Sequence, residues 1–417
     1  LLLFKAKTKE DKAKIFEIQM NYYTNQGRAD DAISIGSEAL KLYGINFPKK
    51  VTFIQVLPKL LKIKTKLLFR SDKNILGLPE IENKDALASM KILSNMSPSC
   101  FVQSHESMLL NCLNCLDLTL KYGISDVSSY AVSLMAFVET IALGNHSRAF
   151  ELVKLAYDMN DKVNGKMYRS KLIFAYNNFI QLYHAPIEES INELKMGHVA
   201  GINCGDFNFA DYCLYSTFSR EIYLGRDLTK VYENAVDYSR FADNISDQYI
   251  IPMMQVMRRY ISELTGHFDP QYESRDKGFN AEEFKNKYVT ETDKQNQSWL
   301  YIFESMLCYF KRDIKSAYEQ VLKAEVVCED GTQKQIPLYD HYFFSTLICC
   351  EMAKLDKTTR KMASKIASKN LKELEKVQKQ MPKNFRSRYF LALAMKKMAF
   401  ASQKEKEISF DFINAIS

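Results

Sequence analysis

The sequence predicts an all-α chain, a solenoid of antiparallel helix hairpins, on three observations. Glycine (14) and proline (9) are scarce among 417 residues. That suits helix interiors and leaves too few turn residues for an all-β or doubly wound fold. Apolar residues make up 47% of the chain, enough to bury a core, and they recur at helical spacing along most of it. The third observation is a spacing that occurs three times. Gly27, Ala32 and Ala39 lie five and seven residues apart. Gly144, Ala149 and Ala156 repeat it, and so do Ala317 and Ala324, with Arg312 where the glycine would stand.

This G-x4-A-x6-A frame reads as the turn and second helix of a tetratricopeptide-like (TPR-like) hairpin. The glycine ends the first helix, where a residue with φ > 0 is cheap. Alanines seven apart share one helix face, and small side chains there let paired helices approach closely. Gly27 and Gly144 are 117 residues apart, or three units of 39, and Ser190 and Lys230 continue from Ala149 at 41 and 40. The period expected is therefore near 40 residues, with degenerate middle units.

The elements follow in order. Residues 9–26 and 29–43 make the first hairpin, stopped by Gly44 and Pro48. Residues 51–70 form a basic amphipathic helix. After a loop with Gly77 and Pro79, a helix over 84–96 starts at a cap, Asn83 or Asp85, and ends before Pro98. Helices over 101–121 and 126–143 are broken by Gly123. Then come 146–161, 166–183, 187–203, 206–223, 227–243 and 247–265. The stretch 267–291 carries Asp269-Pro270, Gly278 and many charges, lacks sustained periodicity and reads as a charged connector. Helices resume over 293–311, 313–328, 338–354, 357–380 and 384–402, with Pro337 and Pro382 at helix starts, where proline is tolerated. The expected organisation is a repeat array over 1–266, the connector 267–291, and a second array over 292–417. The tail carries Ile408, Phe410, Phe412, Ile413 and Ile416. A solenoid normally ends in a unit with a polar outer face, so the chain is expected to stop within a repeat, or to self-associate there. Its start at Leu1 rather than Met likewise reads as a fragment.

Motifs for catalysis are missing from the sequence. It has no G-x4-G-K-[ST], G-x-G-x-x-G, H-E-x-x-H or G-x-S-x-G string, so neither a phosphate cradle nor a familiar nucleophile or zinc motif is expected. The six histidines are dispersed. Cys112 and Cys115 are spaced like half a zinc site, but no second pair follows at the distance such sites use. They read as core thiols among nine scattered cysteines of a cytoplasmic protein. Glu188 and Glu189 are adjacent carboxylates in a first helix turn, where the helix dipole favours them over acid–base work. The aromatic residues, Trp299 included, read as core. Gly201 and Gly205 read as close packing at a hairpin end. No metal, no cofactor, no membrane-spanning helix and no membrane partner is expected.

The last third is basic. Lys354 to Lys397 holds fourteen Lys/Arg against three Asp/Glu. Lys361, Lys365, Lys369, Lys372, Lys376, Arg386 and Arg388 form a candidate interaction face for an acidic partner or nucleic acid. The rival reading is a solvated outer face of two helices, and the few neighbouring aromatics do not favour single-strand binding.

Longer strings carry a resemblance. AKTKEDKAKIFEIQMNYYTNQGRADDAISIGSEALKLYGINFP, DALASMKILSNMSPSCF, GINCGDFNFADY (Gly201, Gly205, Asp206, Phe209, Ala210, Tyr212) and MPKNFRSRYFLALA (Pro382, Asn384, Phe385, Tyr389) occur in that order. They resemble the helical-repeat region of large bacterial STAND-type predicted-ATPase signalling proteins, which are often fused to Ser/Thr kinase, GAF and sensor histidine kinase modules. The resemblance implies a sensor and autoregulatory superhelix with no catalytic residues of its own. Its partner would be a protein, a peptide or a small effector on the concave face, or the ATPase or kinase modules of the same polypeptide. The alternative is a regulator that binds nucleic acid or an acidic partner through 354–397.

Overall fold

In the computed structural model, Gly27 and Gly144 hold φ of 68° and 64°, and Arg312 adopts the same left-handed conformation at 66°. The chain reverses after each of them. The Arg28 amide donates to the Tyr23 carbonyl and the Asp313 amide to the Cys308 carbonyl, both at 2.9 Å, and the Asn145 amide donates to the Glu139 carbonyl at 2.8 Å. These wide bonds satisfy carbonyls left over at the end of the first helix. Asn145 and Asp313 then cap the next helix, their side chains accepting from the Arg148 and Ser316 amides at 3.3 and 3.1 Å. Gly205 (φ 78°) followed by Asp206 builds the same junction. Ala210 stands five residues on, but Thr217 replaces the second alanine, which hides this copy from a spacing search.

Arg312 carries a Cβ where glycine would be free of strain. A left-handed L-residue costs about 1–2 kcal/mol, part of which glycine's extra unfolded-state entropy takes back. Arg312→Gly is therefore expected to stabilise the protein by about 0.5–1 kcal/mol, read as a higher urea midpoint. A lower midpoint would mean that the exposed arginine side chain contributes more than the strain removes.

The structure describes residues 5–289, 294–332, 334–400 and 411–415. Among them there is no strand, and one isolated parallel bridge joins Glu80 and Ile124. The α-helices are α1 (Lys9–Asn25), α2 (Ala29–Lys41), α3 (Phe53–Leu68), α4 (Asp72–Leu76), α5 (Lys84–Gln103), α6 (His105–Tyr122), α7 (Asp126–Ile141), α8 (His146–Lys162), α9 (Arg169–Phe179) and α10 (Glu189–Cys204). They continue as α11 (Phe207–Tyr223), α12 (Leu228–Ile245), α13 (Ile251–Thr265), α14 (Glu273–Asp276), α15 (Ala281–Tyr288), α16 (Lys294–Phe310), α17 (Ile314–Gly331), α18 (Ile336–Leu355), α19 (Arg360–Gln380) and α20 (Pro382–Phe400). The chain forms two compact units. One comprises Leu1–Ile180, Glu193–Cys213 and Asp243–Tyr249; the other comprises Gln181–Asn192, Leu214–Ala242 and Ile250–Ser417.

Helices pack chiefly on their chain neighbours. In the first unit α1 packs on α2, α2 on α5, α5 on α6, α3 and α7 on α6, and α8 on α7. In the second, α16 packs on α13 and α17, α17 on α18, and α18, α19 and α20 on one another. Ala32, Ala39, Ala149, Ala156, Ala317 and Ala324 are each at most 1% exposed.

Four expectations for the elements change. Pro98 does not end its helix, which runs on to Gln103. A mid-helix proline leaves the carbonyl four residues back without its amide partner. Here the Ser97 hydroxyl donates to that carbonyl, on Ser94. The break comes at Ser104, whose side chain accepts from the Ser107 amide at 3.1 Å and starts α6. The helix expected over 166–183 is instead a 3-10 turn, α9 and a second 3-10 turn, where the Gln181 side chain donates to the Pro186 carbonyl at 2.6 Å and turns the chain. The loop before residue 84 holds α4, capped by Ser71 at the Asn74 amide and tied down by two Arg148 bonds to Asp72 at 2.7 and 2.8 Å. The stretch 267–291 holds α14 and α15. Of the apolar tail, Ile408, Phe410 and Ile416 lie outside the described residues, and 411–415 are helical.

Candidate functional site

The inner stripe of α19 is Ala363, Ile366, Ala367, Asn370, Leu371, Leu374 and Val377, all buried. Its spacing of three and four leaves the lysines on the other side. Lys361, Lys365, Lys369, Lys372 and Lys376 are exposed and fall within an arc of about 80° at helical pitch. Two of the five are engaged: Lys376 pairs with Glu373 at 2.7 Å and Lys369 with Glu325 at 2.9 Å.

The expected arginines divide. Arg386 is exposed, its guanidinium 5.8 Å from the Phe390 ring centre. Arg388 turns inward. It bonds Asp340, donates to the Tyr223 carbonyl at 2.9 Å and lies 3.7 Å over the Tyr223 ring. The structure thus keeps five lysines in one row and takes Arg388 out of it.

Beneath Lys369 lies a network that sequence reading did not find. His341 on α18 is 1% exposed, and its Nε2 is 2.9 Å from Glu325 Oε1 on α17. Asn370 donates to the same oxygen at 2.6 Å and to the Ser345 hydroxyl at 2.7 Å. Burial disfavours the charged imidazole, but the Cys328 thiol and Glu325 carboxylate outweigh it and hold His341 up at about 9. Burial pushes Glu325 upward, but bonds from His341, Asn370 and Lys369 outweigh that and hold it down at about 2. The histidine's contribution to stability is complete below the ordinary imidazole range and fades as pH rises through about 9. Glu325's contribution is complete above the ordinary carboxylate range and fades only as pH falls through about 2. Raising pH from about 6 to about 10 should therefore cost the wild type about 1–3 kcal/mol more than His341→Gln in urea unfolding. Equal losses would show that folding leaves the proton affinity of His341 at its ordinary value.

In the first unit, the block 201–212 makes a second polar cluster. A Cβ on Gly201 would sit 2.8 Å from that of Ala210, so the glycine is needed for close approach. Asp206 pairs with Lys171 at 3.0 Å, the lysine side chain being 9% exposed. The ammonium lies 4.2 Å from the Phe209 ring centre and 5.7 Å from those of Tyr130 and Tyr168. This cage holds one of the chain's own cations in the core by charge and π-face together.

The remaining candidates are placed as follows. Cys112 and Cys115 are buried and donate to the Ala131 and Met90 carbonyls at 3.7 and 3.8 Å. Burial pushes both thiols up, Cys115 to about 12. Glu188 pairs with Arg226, and Glu189 opens α10. Trp299 is buried against Tyr215 and Phe303. Among the described residues, no group of three or more His, Cys, Asp or Glu is arranged to hold a metal, and no helix is long and apolar enough to cross a membrane.

No family model matches the chain. The chain is similar to the hybrid signal transduction histidine kinase G of Dictyostelium discoideum, at 24% identity over 286 residues, covering 63% of this chain and 8% of that protein. The aligned part therefore spans only a small fraction of that relative, which comes from Dictyostelium rather than from bacteria. An all-helical chain with this likeness fits a region of a signalling protein.

Proposed function

We propose that this chain is a non-catalytic regulatory region of a multidomain signalling protein. In this reading it is an array of TPR-like hairpins that binds a partner protein, peptide or small effector. It passes that state to ATPase or kinase modules of the same polypeptide. The observation that carries the reading is the shared junction at Gly27, Gly144, Gly205 and Arg312: a left-handed residue, then a helix with a buried alanine five residues on. Stacked hairpins of this kind expose long helix faces suited to binding. Their packing can hold two arrangements that a ligand biases. The similarity to a histidine kinase supports the signalling context.

The test is phosphotransfer by the parent protein with and without this region. Deletion is expected to change the rate or its response to stimulus severalfold, while this chain alone transfers no phosphate. Phosphotransfer or ATP hydrolysis by the isolated chain would sink the proposal, and so would a parent protein indifferent to the deletion.

The lysine row on α19 favours a second reading, an anionic partner such as nucleic acid. Any such binding should be weak and fall steeply with salt, since phosphate contacts release counterions. Sub-micromolar, sequence-dependent binding at physiological salt would raise this reading above the first.

A further inference from the structure

We propose that the outer face of α3 seats the protein on an anionic lipid surface. α3 is apolar on two sides. Val56 and Ile63 point inward and are fully buried where the helix packs on α6. On the opposite side Ile54, Leu57, Leu61 and Leu68 are 83%, 40%, 58% and 82% exposed, and Phe69 just beyond is 84% exposed. At helical pitch these five fall within an arc of about 120°, in a row about 22 Å long.

The charges complete the pattern. From Lys49 through Ser71 there are seven Lys/Arg and no Asp or Glu. Lys62 and Lys66 lie along one border of the outer face and Lys64 along the other. Each also reaches back to the protein: Lys62 and Lys66 to Asp117 at 3.0 and 2.7 Å, Lys64 to Glu139 at 3.5 Å. All three remain partly exposed, at 56%, 34% and 39%, and an ammonium has three donors. Lys49 and Lys50, before the helix, are exposed as well.

An apolar face bordered by cations on both sides matches a helix that lies in the headgroup plane of an anionic bilayer. A second copy of the chain is disfavoured, because packing α3 on α3 brings two acid-free cationic segments together. A groove on a partner protein fits less well. The outer row offers only Thr65 and Gln55 as polar groups to fix a register, which a fluid surface does not need.

The experiment is co-sedimentation of the full chain with vesicles of phosphatidylcholine alone or with about 30% phosphatidylserine. The expected result is binding at least about tenfold stronger to the anionic vesicles, weakening as salt rises. Leu61→Glu with Phe69→Glu should lose at least about tenfold of that binding while circular dichroism stays unchanged, as both residues are exposed. Leu57→Trp should give blue-shifted emission on anionic vesicles only. Lys230→Ala with Lys315→Ala, two exposed lysines outside both α3 and the α19 row, should bind vesicles as the wild type does. Absent binding, equal binding to both vesicles, loss on these two substitutions, or no blue shift overturns the proposal. Dimerisation that the glutamates abolish would assign the face to a second copy, and capture of an acidic amphipathic peptide without vesicle binding would assign it to a protein; either overturns it.

Discussion

Asp276→Ala is expected to destabilise the second unit by about 3–5 kcal/mol, because it strands a buried arginine. Arg258 and Asp276 are 2% and 0% exposed. The guanidinium donates to the carboxylate twice, at 2.7 and 2.9 Å, and to the Ser239 hydroxyl at 2.6 Å. It also lies 3.8 Å over the Tyr272 ring. Burial pushes the Asp276 carboxyl up, and the two arginine bonds pull it back. Removing the carboxylate leaves a desolvated cation, whereas removing both charges leaves none. The double variant Arg258→Met with Asp276→Leu should therefore lose clearly less than Asp276→Ala alone. Urea unfolding measures all of them. If Asp276→Ala cost under about 1 kcal/mol, the pair would be solvated rather than buried.

Asn384→Ala should cost about 2–3 kcal/mol, since it leaves several backbone groups without partners. The Asn384 amide donates to the Leu182 and Ala185 carbonyls at 2.8 and 3.0 Å, and its oxygen accepts from the Ile187 amide at 2.8 Å. Its own carbonyl accepts from the Tyr223 hydroxyl at 2.6 Å. One side chain thus satisfies three backbone groups of the loop between α9 and α10. Asn384→Asp keeps the acceptor and turns the donor toward two carbonyls into a repelling oxygen. It should be at least as damaging in thermal unfolding. An aspartate as stable as the wild type would show that water, rather than Asn384, serves those carbonyls.

The helices were legible because each buries one stripe at a fixed period, and because residues such as Asn83 and Pro382 mark where helices start. Gly27 and Gly144 were legible for the same local reason: a reversal within a few residues needs a left-handed turn. Pro98 misled because the compensating donor, Ser97, works only through its side chain. The polar networks were not legible at all. Arg388 looks like one more surface charge beside its neighbours, since Asp340 and Tyr223 lie 48 and 165 residues away. Glu325, His341 and Asn370 are each ordinary in their own helix, and only packing brings them together. Arg258 and Asp276 are separated by a stretch whose composition reads as solvated loop. In the sequence Ile54, Leu61 and Leu68 on α3 look like core residues, because periodicity cannot say which of two apolar faces finds a partner.

The Asn384 bonds also bear on how this chain is made. The Leu182 and Asn384 partners are 202 residues apart. At ordinary synthesis rates of about 5–20 residues per second, the Leu182, Ala185 and Ile187 backbone emerges about 10–40 s before the side chain that completes it. Throughout that interval the segment keeps its hydrogen bonds with solvent. The second unit therefore closes late, on a contact of long loop-closure length. A ribosome that stalls or a transcript that ends before the Asn384 codon would release a chain whose 181–187 segment lacks its latch.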